Sequence, residues 1–445
     1  MFGFSRKSTG VRFPLDPFAM WPNHASRISG LGHGTQSSHD NVVFHTAYLS
    51  FGSGWLTFDI ELDALVATSG TLSLTILELS DRRSSAAVVK RQSVSLPKVA
   101  TATGTVSVSI AIRARDDASY AVCGRIRDET DARASAIRVF SDREKDDSLL
   151  ERKVEQARTT IFAAVSPMTD ADPLVVATPA TLATPRSQMC TAAQFDEPDY
   201  ARWLTRINRP MHRHRKQWEH VFICRTFEAM NALKGPARAL GFGCGMEPIP
   251  AAIAAYDIFV TASDLPVGDA RAENWRYSAQ LLVSLDDLRD PGICPNDLFD
   301  QRVELQPIDM TAIPAERRDY DMCWSSCALE HLGSIDAGLT FIERSLDTLK
   351  PGGVAVHTTE LNLTSDTTTV DSGGTVLFRR PDIEGLARRL RALGHYVAPI
   401  TFDMGEQPED RHIDTPPYTA DSHLKLALDR YVSTSFGLVI RKAGG

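Results

Sequence analysis

The sequence predicts two successive architectures. The first is an all-β sandwich-like module over about residues 41–142, and the second an α/β domain over 196–445 with a Rossmann-like, doubly wound sheet. Three observations predict them. Between residues 41 and 140, apolar and polar residues alternate in short runs with the period of a strand. From Ala237 onward strand-like and helix-like segments alternate, the pattern of a parallel sheet covered by helices. An apolar run that ends in Gly243-Cys244-Gly245 then supplies the tight turn that such sheets use to approach a ligand.

The chain has 445 residues, more than one average domain, and 43% hydrophobic with 23% charged residues, which excludes a disordered or fibrous protein. A net charge of −8 gives no overall attraction to nucleic acid or to an anionic membrane, so neither partner is expected. No segment has the ~18 uncharged apolar residues of a membrane span. The first residues lack the apolar core of a secretory leader. Seven cysteines, odd in number and without CxxC pairing, read as reduced thiols of a cytoplasmic protein rather than as disulfides or a zinc site.

Residues 1–40 form an N-terminal extension. Seven strands follow, at Val42–Tyr48, Trp55–Leu62, Thr71–Leu79, Ala87–Leu96, Gly104–Ile112, Ser119–Arg127 and Ala134–Phe140. In the fifth, Val106, Val108 and Ile110 point one way and Thr105, Ser107 and Ser109 the other, so one face is buried and one is wet. Such a module is an interaction scaffold or, more specifically, a sugar-binding one. Residues 143–195 hold a helix, Asp146–Ala163, and a linker rich in Pro, Ala and Thr. Tyr200–Leu233 reads as helical. Its basic run (Arg202, Arg206, Arg209, Arg213, Arg215, Lys216) is either a solvated face or an anion site.

The chemistry concentrates after Ala237. The strand into Gly243-Cys244-Gly245, a helix from Ile249 and a second strand ending at Ser263-Asp264 form the geometry for an adenosine-containing cofactor, with Asp264 accepting the ribose hydroxyls. The third glycine of a dinucleotide fingerprint would fall at Pro248, which argues against a nicotinamide. Later come a strand ending near Asp309, the strand Asp319–Ser326 with CALEHL after it, and LKPGGVAVH.

In this order GFGCG, ASD, DYDMCWSSCALEHL and LKPGGVAVH resemble the class I S-adenosylmethionine-dependent methyltransferases over about residues 200–440, most closely those of bacterial polysaccharide and surface-glycan enzymes. The resemblance implies S-adenosylmethionine as donor. It implies Gly243 and Gly245 under its methionine and ribose, Asp264 and Leu265 at the ribose, Asp309 and Met310 at the adenine, and Ser325 and Ser326 beside the methyl group. Where relatives carry an acid two positions before the first glycine this chain has Gly241, and Glu247 is a substitute carboxylate for the donor's ammonium.

Methyl transfer to an oxygen needs in-line positioning and a base. Candidates are Glu330 and His331 after the fourth strand, His357 and Glu360 after the fifth, four groups expected to converge, and His423 in a late loop. A divalent metal on the acceptor's hydroxyls is a further expectation, although Cys327 stands where the first acidic ligand would be. Arg379 and Arg380 either meet an anionic acceptor or pair with Asp382 and Glu384. The expected function is O-methylation of a saccharide or glycan intermediate. The rivals are methylation of a small metabolite or nucleotide, and a non-catalytic protein that senses the cofactor.

Overall fold

The computed structural model describes residues 10–20, 25–32, 41–80, 86–164 (side chains to 159), 173–266, 268, 269, 271, 281–416, 418 and 422–444. Residues 1–9 and 33–40 of the expected extension and 165–172 of the expected linker lie outside the described residues. The chain divides into two compact units, residues 1–152 with 415–419 and 427–430, and the remainder from Lys153.

In the first unit each of the seven alternating runs is a strand, and a short β1 (Phe13–Leu15) precedes them. The seven are β2 (Val42–His45), β3 (Gly54–Asp63), β4 (Thr71–Ser80), β5 (Ala87–Ser95), β6 (Thr105–Ala114), β7 (Ala118–Ile126) and β8 (Ala136–Ser141), with one helical turn, α1 (Leu96–Val99), between β5 and β6. They form two four-stranded antiparallel sheets, ordered β1-β8-β3-β6 and β2-β7-β4-β5. Leu56, Phe58 and Ile60 of the first share one core with Leu72, Leu74, Ile76 and Val122 of the second. Period two is what allows this: in β6, Val106, Ile110 and Ile112 are buried while Thr105, Ser107 and Ser109 are exposed.

The boundary between the units falls within α2 (Ser148–Ala164). In the second unit β9 (Ser187–Met189), α3 (Pro198–Arg206) and α4 (Arg215–Ala229) precede β10 (Ala237–Phe242), α5 (Ile249–Ala254), β11 (Ile258–Asp264), β12 (Val303–Pro307), β13 (Tyr320–Ser326) and β14 (Leu349–Asn362). Then come β15 (Tyr396–Val397), β16 (Ile400–Thr401), β17 (Leu426–Leu428) and β18 (Tyr431–Arg441). Strands β12-β11-β10-β13-β14 lie parallel in that order, the doubly wound order reversed at β10. Beside β14 lies β18, antiparallel from Val354↔Arg441 to Asn362↔Ser433. Strands buried on both faces read as largely apolar runs: β10 is buried from Ala239 to Phe242, and β18 from Tyr431 to Ile440 with Ser433, Thr434 and Ser435 buried in its middle. Trp203, Trp218, Phe222 and Phe227 of α3 and α4 form the core with Ala239, Met322, Trp324, Val356 and Val439 of the sheet.

Two expectations are corrected. The single helix over 200–233 is two helices, because Pro210 lies in the stretch and Asn208 takes a left-handed φ of 50°. The described part of the Pro/Ala/Thr stretch is no free linker: Val175 bridges Ile400, and β9 pairs with β18 on one side and β16 on the other.

Leu74 has no exposed surface in the first core. Leu74→Ala should destabilise that unit by about 2–5 kcal/mol, read as a lower urea midpoint in near-ultraviolet circular dichroism; a midpoint within 0.2 M (roughly 0.5 kcal/mol) of the wild type would contradict the shared core.

Candidate active site

The C-terminal ends of β10, β11, β13 and β14 carry the polar side chains. At the end of β10, Gly243 and Gly245 take φ of 58° and 50°, conformations that cost a side-chain-bearing residue. A Cβ on Gly243 would also stand 2.8 Å from Ala328 Cβ and 3.4 Å from Met310 Sδ. The loop is tied to β11: Cys244 N–H donates to Ser263 O (2.9 Å) and Gly245 N–H to Asp264 Oδ2 (3.2 Å). Asp264 accepts two more N–H groups, from Leu265 (2.8 Å) and Leu282 (3.1 Å). Burial raises its pKa and these three donors oppose the rise. Gly243, Gly245, Asp264, Leu265 and Met310 are therefore brought together. Asp309 is already engaged, by Thr311 N–H (2.8 Å) and Oγ1 (2.7 Å) and by Arg271 (2.8 Å).

The missing acid before the first glycine has a steric cause. A Cβ on Gly241 would lie 2.4 Å from the Trp324 ring. Trp324 instead donates its indole N–H to Glu247 Oε1 at 2.6 Å, from the far side of the turn.

The largest polar assembly is one that sequence reasoning missed. Glu219 of α4 has no exposed surface. Its carboxylate accepts from Ser326 Oγ (3.2 Å), Cys327 Sγ (3.0 Å), Thr358 Oγ1 (3.0 Å) and Ser435 Oγ, and lies 3.6 Å from both Arg215 and Lys216. Burial alone would raise its pKa, but Lys216, Arg215 and the hydroxyl donors hold it down at about 2. Arg215 also meets Glu360 Oε1 at 2.5 Å, and Ser433 donates to Glu360 Oε2 at 2.8 Å. The signal in the sequence was the spacing: Arg215 and Lys216 lie four and three residues before a Glu in the stretch Trp218 to Cys224, which is apolar apart from Glu219 and His220.

Of the four groups expected to converge, Glu330, His331 and Glu360 come together and His357 does not. Cys327, Glu330 and Glu360 place ligand atoms within 4.8 Å of one another. Glu330 is buried; Thr359 donates to its Oε2 at 3.1 Å, whereas Oε1 has no hydrogen-bond partner. His331 bonds Gly374 O through Nδ1 (2.8 Å) and keeps Nε2 3.9 Å from Glu330 Oε1. His357 and Ser325 lie on the opposite face of the sheet, because successive side chains of a strand alternate. There His357 sits between Ser325 Oγ (2.9 Å) and Ser345 Oγ (3.0 Å), and burial lowers its pKa to about 3. His423, expected in a loop, is buried, stacks on His214 (4.6 Å) and bonds Asp414 at 2.6 Å. Burial lowers its pKa and Asp414 opposes this.

The metal expectation meets a poor donor set. Arg215 already neutralises Glu360, and Cys327 is a thiol with its pKa raised by burial that donates to Glu219. A hard divalent cation takes oxygen ligands and would have to displace the guanidinium. The anion-site reading of the basic run also fades: Arg202 and Arg206 pair with Glu228, Arg209 with Asp290 and Arg213 with Asp196. Arg379 pairs with Asp382, and Arg380 with Asp366 and, at 3.9 Å, Glu384.

No family model and no curated protein matches the chain. Solved structures do. A Burkholderia thailandensis 1,6-didemethyltoxoflavin-N1-methyltransferase with bound S-adenosylhomocysteine is 17% identical over 47% of this chain and 72% of its own, with a TM-score of 0.27. A putative sarcosine dimethylglycine methyltransferase from Galdieria sulphuraria is 13% identical over 56% and 99%, at 0.32. The magnesium protoporphyrin IX methyltransferase of Synechocystis, with bound SAH, is 13% identical over 56% and 97%, at 0.29. With superpositions this partial, the Rossmann-like sheet rests on the chain's own strand order. Among the described residues no helix is long and apolar enough to cross a membrane.

Glu219 and Glu330 should respond oppositely to loss of charge. Glu219→Gln takes the facing carboxylate from Lys216 and leaves Arg215 with Glu360 alone, and should cost about 3 kcal/mol at pH 7. With a folded pKa of about 2 against an ordinary 4.5, Glu219 stabilises above pH 4.5 and loses that contribution as pH falls toward 2. The gap in denaturation midpoint between wild type and variant should therefore narrow from pH 6 to pH 3. Glu330→Gln, at a carboxyl whose pKa burial raises, should stay within about 1 kcal/mol of wild type. Equal losses in the two variants would contradict this assignment.

Proposed function

We propose that the chain is an S-adenosylmethionine-dependent methyltransferase that O-methylates a saccharide or glycan intermediate. The observation that carries the donor reading is the pair formed by the Gly243–Gly245 turn and Asp264, joined at 3.2 Å where the strand order reverses. Crevices at this point of a doubly wound sheet take nucleotide ligands. The residues fit the group. A side chain at 243 would fill the cradle, and Asp264, with its oxygens anchored by backbone N–H groups, keeps acceptor capacity for vicinal hydroxyls.

When bound, S-adenosylmethionine supplies the methyl group as an electrophilic sulfonium. The chain's part is to orient the acceptor, exclude water and take the proton. Glu330 is suited to proton removal, because its Oε1 is buried and unbonded, and Ala328, two residues earlier, packs beside Gly243. A hydroxyl entering there would donate to Oε1, while the Arg215–Glu360 and Lys216–Glu219 pairs hold the wall. A free buried acceptor also favours a catalyst over a silent sensor.

A hydroxylated acceptor agrees with the first unit, where Trp55 is 63% exposed on β3 opposite Arg113, beside a wet face of Thr57, Ser107 and Ser109. An indole face with polar neighbours suits a sugar ring. Seven free cysteines, all buried, suit a reducing cytoplasm.

Titration calorimetry should show binding of S-adenosylmethionine and S-adenosylhomocysteine but not NAD, and Asp264→Ala should weaken both by about tenfold or more; binding of NAD alone, or an unchanged affinity in the variant, would overturn the donor site. Trp55→Ala should lower retention on immobilised polysaccharide without altering donor affinity, and equal retention of variant and wild type would remove the glycan role of the first unit.

A further inference from the structure

We propose that Glu247 seats the ammonium of the methyl donor and that donor binding drives a proton off its carboxyl group. The proposal deepens the donor reading above and rests on it. Glu247 follows Gly245 by two residues, is 6% exposed, and is held in the turn by its N–H to Cys244 O (3.2 Å).

The groups around it come from every element packed there. Trp324 of β13 donates to Oε1; the Cys244 thiol of the turn bonds the carboxyl. Cys224 and Glu219 of α4 and Asp264 of β11 act on it through space. None of these is a cation and two are carboxylates, so an ionised Glu247 lacks the counter-charge that Arg215 and Lys216 give Glu219. Burial, reinforced by Glu219 and Asp264 against the donors Trp324 and Cys244, pushes its pKa up to about 8. A buried carboxyl without a partner cation, two residues past the donor turn, is completed by a ligand that brings the cation. Trp324 explains why the acid is here: its ring closes position 241 to any side chain and its N–H aims Glu247 from the other side.

The proton balance has a signature. Near pH 7 the free acid is Glu247–COOH and the free donor carries –NH3⁺, since an α-amino group titrates near 8. Forming the carboxylate–ammonium pair releases one proton to solvent. Well above pH 8 the free partners are carboxylate and amine, and the same pair takes one proton up. Release below and uptake above cross near pH 8.

The test is calorimetry in phosphate and in Tris, whose ionisation heats differ, with three ligands: S-adenosylmethionine, S-adenosylhomocysteine and 5′-methylthioadenosine, which has the nucleoside and sulfur but no ammonium. The expected result at pH 7 is a net release of roughly 0.8 proton with the first two ligands and none with the third. Glu247→Gln should abolish the release and weaken the first two by about tenfold or more while moving methylthioadenosine by no more than about twofold. A wild type that binds S-adenosylmethionine without proton exchange overturns the proposal, as does a variant that weakens all three alike. Failure of the wild type to bind any of the three overturns the donor site itself. The wild-type proton counts decide the matter even if the variant does not fold.

Discussion

Glu219 is the group on which the second unit's polar architecture turns. One carboxylate on α4 receives hydroxyls from β13, β14 and β18 and a thiol from the turn after β13, so a helix and three strands are held by one set of charge-assisted bonds. Such a group cannot be buried alone. Arg215 and Lys216, one helical turn away, make it stable, and Arg215 extends the balance to Glu360. The strand ends are thus fixed before any ligand arrives, and Glu330, whose Oε1 has His331 at 3.9 Å but no hydrogen-bonded cation, is left as the responsive carboxyl beside them.

Of the four buried glutamates in the site, three besides Glu330 have three different conditions. Glu219 has two cations nearby and stays ionised; Glu360 has one. Glu247 has only an indole, a thiol and like charges, and holds its proton near neutrality. Composition does not distinguish them, but their neighbours do. The positions of Arg and Lys in the fold, rather than the acids themselves, decide which carboxyl structures the site and which responds to a ligand.

Much of this was legible in the sequence. Short β runs bounded by turn residues, several of them with period two, marked the seven strands β2 to β8 of the first unit, and the Gly243–Gly245 turn with Asp264 was found because backbone constraint leaves glycine where nothing else fits. What escaped notice was non-local. Glu219 looks like a surface residue until the apolar stretch around it is buried, and β9 looks like a linker because three residues show no period. His357 was misplaced against its neighbours because side-chain parity needs the true ends of β14, which runs on to Asn362. Pro210 and the spacing of Arg215 and Lys216 to Glu219 were signals available in the sequence and passed over.

The pairing of β9 with β18 bears on how the second unit is made. Met189 and Gln188 lie against Phe436 and Gly437, across nearly the whole length of that unit. Because β18 lies between β14 and β9 and follows every other strand of the sheet in sequence, the sheet keeps a gap until β18 has been made. During synthesis β14 therefore waits with an open edge, while the β4–β5 hairpin of the first unit can already close. Such a chain depends on holding that edge apart from its neighbours for as long as translation lasts. Slow elongation downstream of β14 would be more hazardous to its yield than slow elongation before it.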